Sequence, residues 1–205
     1  MNIKKLLSYL PFHKMGRAIV GPIVPTLCLP ISAALIIGLG AAEHVYAADG
    51  LDQTMPIFDT HVHYKEPAWS VYPPEVIIEM MERSGVTKAL VSSTPDEGTR
   101  MLYREDPDRI IPFLRPYHGD VTSSNWHQDE RIIDYFNQRL EMPIYSGLGE
   151  FHIHNPLDAD SPVIKRTARL AVDKGLYLHV HSNHQAVEII FSYEPQVKIL
   201  WAHAG

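Results

Sequence analysis

Six apolar, strand-like runs recur along the chain at roughly 25–35 residues per unit, each separated from the next by a helix-like stretch. Parallel strands cannot be joined by a tight turn, and the crossover between them is normally a helix. Regular alternation of this kind dictates an α/β fold: a parallel sheet with helices packed outside it. The runs are Pro56 to His63, Thr87 to Ser93, Arg109 to Tyr117, Ile144 to Phe151, Leu176 to His181 and Val197 to Ala202. Five helices are predicted between them. They run from Glu75 to Arg83 after Pro73-Pro74, Asp96 to Arg104, Asp129 to Leu140, Pro162 to Lys174 before Gly175, and Gln185 to Tyr193. Lys65 to Tyr72 reads as loop. No glycine-rich phosphate loop follows the first run, which argues against a dinucleotide-binding version of the fold.

The ends of these runs carry the chemistry. A strand has a side-chain period of two, so His61 and His63 point the same way and make half a metal site. Glu150 closes the fourth run, His181 the fifth, and His203 follows the sixth. In βα folds functional groups gather at the carboxyl ends of the strands. In an open sheet the ends of strands one, four, five and six need not converge, whereas a closed barrel rings them around one mouth. A TIM-type (β/α)8 barrel is therefore the expected architecture, with six strands and five helices of it present. Arg115, ending the third run, suits either an anionic substrate group or an ion pair with Glu150. His152 is expected as a substrate contact or an exposed loop residue. His179, one layer below His181, reads as an interior residue. His118, His127 and His184 read as surface, and Trp69, Tyr72 and Trp126 as loop packing.

Residues 1–48 differ in kind. Lys4, Lys5, Lys14 and Arg17 precede a mainly apolar stretch from Ala18 to Ala42, and Ala47-Ala48 offers small residues at a cleavage position. This reads as a signal peptide for export to the periplasm or medium, or as a retained membrane anchor, leaving residues 49–205 as the folded portion. Its removal leaves 14 basic and 23 acidic side chains, a surface that repels nucleic-acid backbones. The single cysteine, Cys28, lies in that segment, so a metal site in the remainder must use nitrogen and oxygen donors.

The combination Phe58-Asp-Thr-His-Val-His63, Gly147-Leu-Gly-Glu-Phe-His152 and Leu200-Trp-Ala-His-Ala-Gly205 resembles the amidohydrolase superfamily, in its amidohydrolase-related branch of metal-dependent TIM-barrel hydrolases. The resemblance implies a divalent metal, usually zinc, held by His61, His63, His181 and His203. Glu150 occupies the place where relatives with a second metal carry a bridging carboxylate, so one or two ions are expected, with Glu150 also the catalytic carboxylate. It implies hydrolysis of an amide, ester, lactone or similar bond in a small molecule. Relatives of the branch also include metal-dependent decarboxylases and hydratases. The family's general base is an aspartate closing strand eight, beyond Gly205. A non-catalytic fragment, oligomerising through open sheet edges, is the further alternative.

Overall fold

The computed structural model describes residues 55–203; the proposed export segment lies outside the described residues. Six strands, β1 (Ile57–Val62), β2 (Val86–Val91), β3 (Ile110–Leu114), β4 (Gly147–His152), β5 (Tyr177–His181) and β6 (Lys198–Ala202), form one parallel sheet in the order β1-β2-β3-β4-β5-β6. Between them lie α1 (Glu66–Trp69), α2 (Pro74–Arg83), α3 (Glu97–Glu105), α4 (Arg131–Arg139), α5 (Pro162–Asp173) and α6 (His184–Tyr193). Short 3-10 turns at Trp126–Gln128 and Pro156–Asp160 precede α4 and α5. The alternation read from the sequence is thus the alternation observed. One element differs: Lys65 to Tyr72, expected as loop, contains the single turn α1, begun at Glu66-Pro67 where proline's fixed φ favours a first helical turn.

Local signals account for the helix starts. Ser161 accepts a hydrogen bond from the Ile164 N–H at 3.3 Å and Pro162 follows it, opening α5; Asn183 accepts from the Ala186 N–H at 3.1 Å and opens α6. The main core lies between the outer sheet face and α4, α5 and α6, where Trp126, Phe136, Leu148, Phe151, Leu178 and Ile190 are inaccessible to solvent. A smaller cluster of Tyr64, Val91, Leu102 and Ile110 packs with side chains of α2 and α3. Among the described residues no helix is long and apolar enough to cross a membrane.

The sheet curls strongly. Six strands laid flat at their usual spacing would separate β1 from β6 by about 24 Å. Instead the rings of His61, on β1, and His203, after β6, have centroids 4.7 Å apart. Phe58 and Thr60 of β1 and Leu200 of β6 line one open cavity of about 340 Å³ with Leu90 and Phe113. Strands β1 and β6 are not hydrogen-bonded to each other. The arrangement is a part-barrel in the strand order of a TIM-type fold, and it brings the carboxyl ends of all six strands around one mouth.

Candidate metal centre

His61 is the penultimate residue of β1 and His63 follows the strand, so both imidazoles reach the mouth from one side. Their Nε2 atoms are 3.1 Å apart. Glu150 reaches the same point from β4 through a bulge. Gly149 pairs with His179 and Phe151 with Val180, so Glu150 is the extra residue that the β5 ladder does not match. Bulges re-aim side chains in this way beside functional sites. Glu150 is 2% exposed, with Oε2 at 3.0 Å from His63 Nε2 and 3.4 Å from His61 Nε2, and Oε1 at 2.9 Å from His181 Nδ1.

Two sets of mutually close donors result, His61, His63 and Glu150 on one side and Glu150, His152 and His181 on the other. Their chemistry fits a divalent cation. The Nδ1 of His63 meets the Ser92 carbonyl, which places a ring proton on that nitrogen and, in the neutral ring a cation requires, leaves Nε2 as a lone pair. Burial lowers the His61 pKa, so this ring is neutral at pH 7 and brings at most one proton to the cluster. With both rings neutral, the three close contacts among His61, His63 and Glu150 share a single proton, and a cation among the lone pairs satisfies all of them. The separations of 3.0–3.4 Å match the edges of a tetrahedron with bonds of about 2.1 Å, roughly 3.4 Å.

The electrostatics around Glu150 are balanced. Burial pushes its carboxyl up, but the imidazoles of His63 and His181 in contact with it and the nearby His61 and His152 outweigh this, and the net direction is well below the usual carboxylate range. Arg115, 6% exposed, adds a donor from Nε to the Glu150 carbonyl at 3.0 Å and from Nη2 to Oε2 at 3.3 Å. Burial likewise lowers His152 and His179 to about 4. His179 packs its ring edge-on to His61 at 5.0 Å, and its buried Nδ1 has no hydrogen-bond partner among the described residues.

The structure sorts the expected residues. His61, His63, Glu150 and His181 come together, and His152, which the strand reaches after all, joins them. His203 lies outside both donor sets: it is exposed, with its ring beside those of His61 and His181. Arg115 is engaged with Glu150. His127, read as surface, is buried, with Nε2 3.5 Å from Asp158 Oδ2. Three residues that sequence reasoning missed hold the site. Ser92 is buried and touches His63 with its carbonyl; its Oγ accepts from the Glu150 N–H at 3.2 Å. Tyr117 accepts from the His152 N–H at 2.8 Å, and Trp126, read as loop packing, donates from Nε1 to the His152 carbonyl at 2.8 Å. Only the position of Ser92 and Tyr117 just past strand ends marked them in the sequence.

No family model matches the chain, and no curated protein is significantly similar to it. Among solved structures the fold is similar to that of a probable 2-pyrone-4,6-dicarboxylic acid hydrolase from Acinetobacter baumannii with citric acid bound, at 12% identity and a TM-score of 0.47. The match covers 72% of this chain and 58% of that chain, so this chain spans less than two thirds of that protein's length.

Proposed function

We propose that the protein is a metal-dependent hydrolase of the amidohydrolase type, cleaving an amide, ester, lactone or similar bond of a small molecule. The observation that carries this reading is the approach of two imidazoles and one buried carboxylate, His61, His63 and Glu150, to within 3.0–3.4 Å of one another at the mouth. Those three residues would hold a divalent ion such as Zn2+, and Glu150 with His181 lies beside it; His152 gives its Nδ1 to the Tyr117 hydroxyl and keeps its ring proton on Nε2. Bound there, the ion supplies Lewis acidity, polarising a substrate oxygen and acidifying water.

The chain's own residues do the rest. Glu150 is anionic at neutral pH; its Oε1 accepts from His181 Nδ1, and its Oε2 faces His63 Nε2, leaving both lone pairs to a shared ion. Ser92 fixes the His63 tautomer and the Glu150 backbone together. Arg115 offsets the buried carboxylate and keeps it from swinging out of the cluster.

Elemental analysis of the full chain after equilibration with Zn2+ or Co2+ tests the reading. At least one ion per chain is expected, and His61→Ala or His63→Ala should weaken binding by more than about tenfold, because each removes a nitrogen from the donor set. Glu150→Gln should lower the stoichiometry if it bridges two ions. Unchanged metal content in all three variants would sink the assignment. A panel of nitrophenyl esters, lactones and anilides, each with and without chelator, identifies the bond class.

A further inference from the structure

In a parallel barrel the inward side chains of successive strands meet and fill the interior in layers. Here Leu90 of β2 with Ile111 and Phe113 of β3 instead wall the open cavity of about 340 Å³, in which Phe58 and Tyr177 stay 53% and 40% exposed. A second cavity of about 260 Å³ adjoins it: Thr60 and Leu200 line both, and its other walls include His61, His179 and His203 of the mouth. Together they make one cleft between β1 and β6, leading from the metal cluster down the inside of the sheet.

Resting on the hydrolase reading, we infer that this cleft holds an uncharged acyl or alkyl chain of the substrate. Among the described residues neither cavity is lined by Asp, Glu, Lys or Arg, and only the hydroxyls of Thr60, Ser146 and Tyr177 interrupt the apolar wall of the lower one. A charged group seated there would lose its water without gaining a partner. An alkyl chain gains instead, about fourfold in affinity for each CH2 removed from water. Because the upper cavity includes His61, a chain lying in the cleft places its head beside the metal donors and its tail below them.

The two strands that border the cleft are poor templates for a further strand. An edge that accepts a partner is long, flat and regular. In contrast, β1 breaks register with β2 twice in six residues, between Ile57 and Phe58 and between Asp59 and Val62. Irregularities of that kind twist an edge away from pairing. β6 is five residues long and begins at the exposed Lys198, and a short edge strand bearing lysine is guarded in the same way. A small apolar molecule uses none of the backbone groups of these edges, only the wall between them.

Calorimetric titration of the full chain with hexanol, octanol and decanol, with Zn2+ present and after chelation, tests this. Affinity should rise about fourfold per added CH2, with the negative heat-capacity change of apolar burial. Thr60→Trp, at a residue common to both cavities, and Ser146→Phe in the lower one should each weaken decanol at least about tenfold. Leu157→Asn, at an exposed position outside the cleft, should leave it unchanged. With Zn2+ bound, kcat/KM for nitrophenyl esters should rise at least about tenfold from acetate to octanoate and lose that dependence in both cleft variants. A flat alcohol series, or decanol binding that ignores both substitutions, overturns the inference. So does a dimer in sedimentation that binds no decanol and that Thr60→Trp splits, since a second copy then fills the cleft. Circular dichroism shows that each variant folds; should one fail, the other and the alcohol series decide. Ester cleavage indifferent to acyl length in a chain that binds decanol overturns the substrate role and upholds the hydrolase. Length-dependent alcohol binding lost in both variants of a chain that takes up no Zn2+ and cleaves no ester leaves the alkyl site standing and removes the hydrolase reading.

Discussion

Tyr117 and His152 are 35 residues apart in sequence, yet each decides the other's protonation. Burial pushes the Tyr117 hydroxyl up to about 12, so it stays a phenol and a donor at any working pH. Burial equally lowers His152 to about 4, so its ring stays neutral and needs one nitrogen as acceptor. Removing the phenol frees Nδ1 and lets the ring proton move. In the Tyr117→Phe variant, 15N chemical shifts of the His152 ring should change from a single Nε2–H tautomer to a mixture. The same substitution deprives the buried His152 N–H of its acceptor, at a cost of about 1–3 kcal/mol in stability. An unaltered tautomer would mean that the hydroxyl does not set it.

At the scale of one strand, the β4 bulge does what regular pleating cannot. It turns Glu150 into the mouth while Phe151 packs against Trp126 on the opposite face, with ring centroids 4.5 Å apart. Gly149 permits the bulge. Its φ is +120°, and a Cβ there would lie 2.2 Å from the His179 carbonyl oxygen. Gly149→Ala should therefore cost about 3 kcal/mol or more in urea denaturation and lower metal content, since Glu150 shifts with the strand. Gly175, with φ +69° after α5 and open space around it, is the control: Gly175→Ala carries the left-handed cost alone, about 1 kcal/mol, with metal content unchanged.

For the whole molecule, the convergence of neutral histidines at one mouth makes stability depend on pH. His179 is 3% exposed and its pKa falls from 6.5 to about 4 on folding, because protonation costs desolvation among other imidazoles. The unfolded chain binds the proton first, so stability is full above pH 6.5 and is lost as pH falls toward 4, by on the order of 3 kcal/mol for this group. Asp96 works in the opposite direction: burial raises its carboxyl, so its contribution is present at acid pH and lost as pH rises through the raised value. Denaturation of the metal-free protein between pH 7.5 and 4 should show the acid loss, and His179→Leu should flatten it. A divalent ion bound only by the folded chain should add about 2.7 kcal/mol at a hundredfold excess over its dissociation constant.

Alternation of strand and helix, the capping residues Ser161 and Asn183, and the placement of His61, His63, Glu150 and His181 at strand ends were determined by the sequence alone. These features depend on near neighbours and on a period of two or 3.6, which linear order records. What tertiary structure decided is how those ends meet. The curl of the sheet sets His203 beside His61 but outside the donor sets, and the bulge at Gly149 lets β4 run on to His152. The partnership of Arg115 with Glu150 comes from approach across 35 residues. The hold of Ser92 on Glu150 spans 58. Contacts of that separation exist only once burial has excluded water from the mouth, so unpaired donors and lone pairs must find each other there.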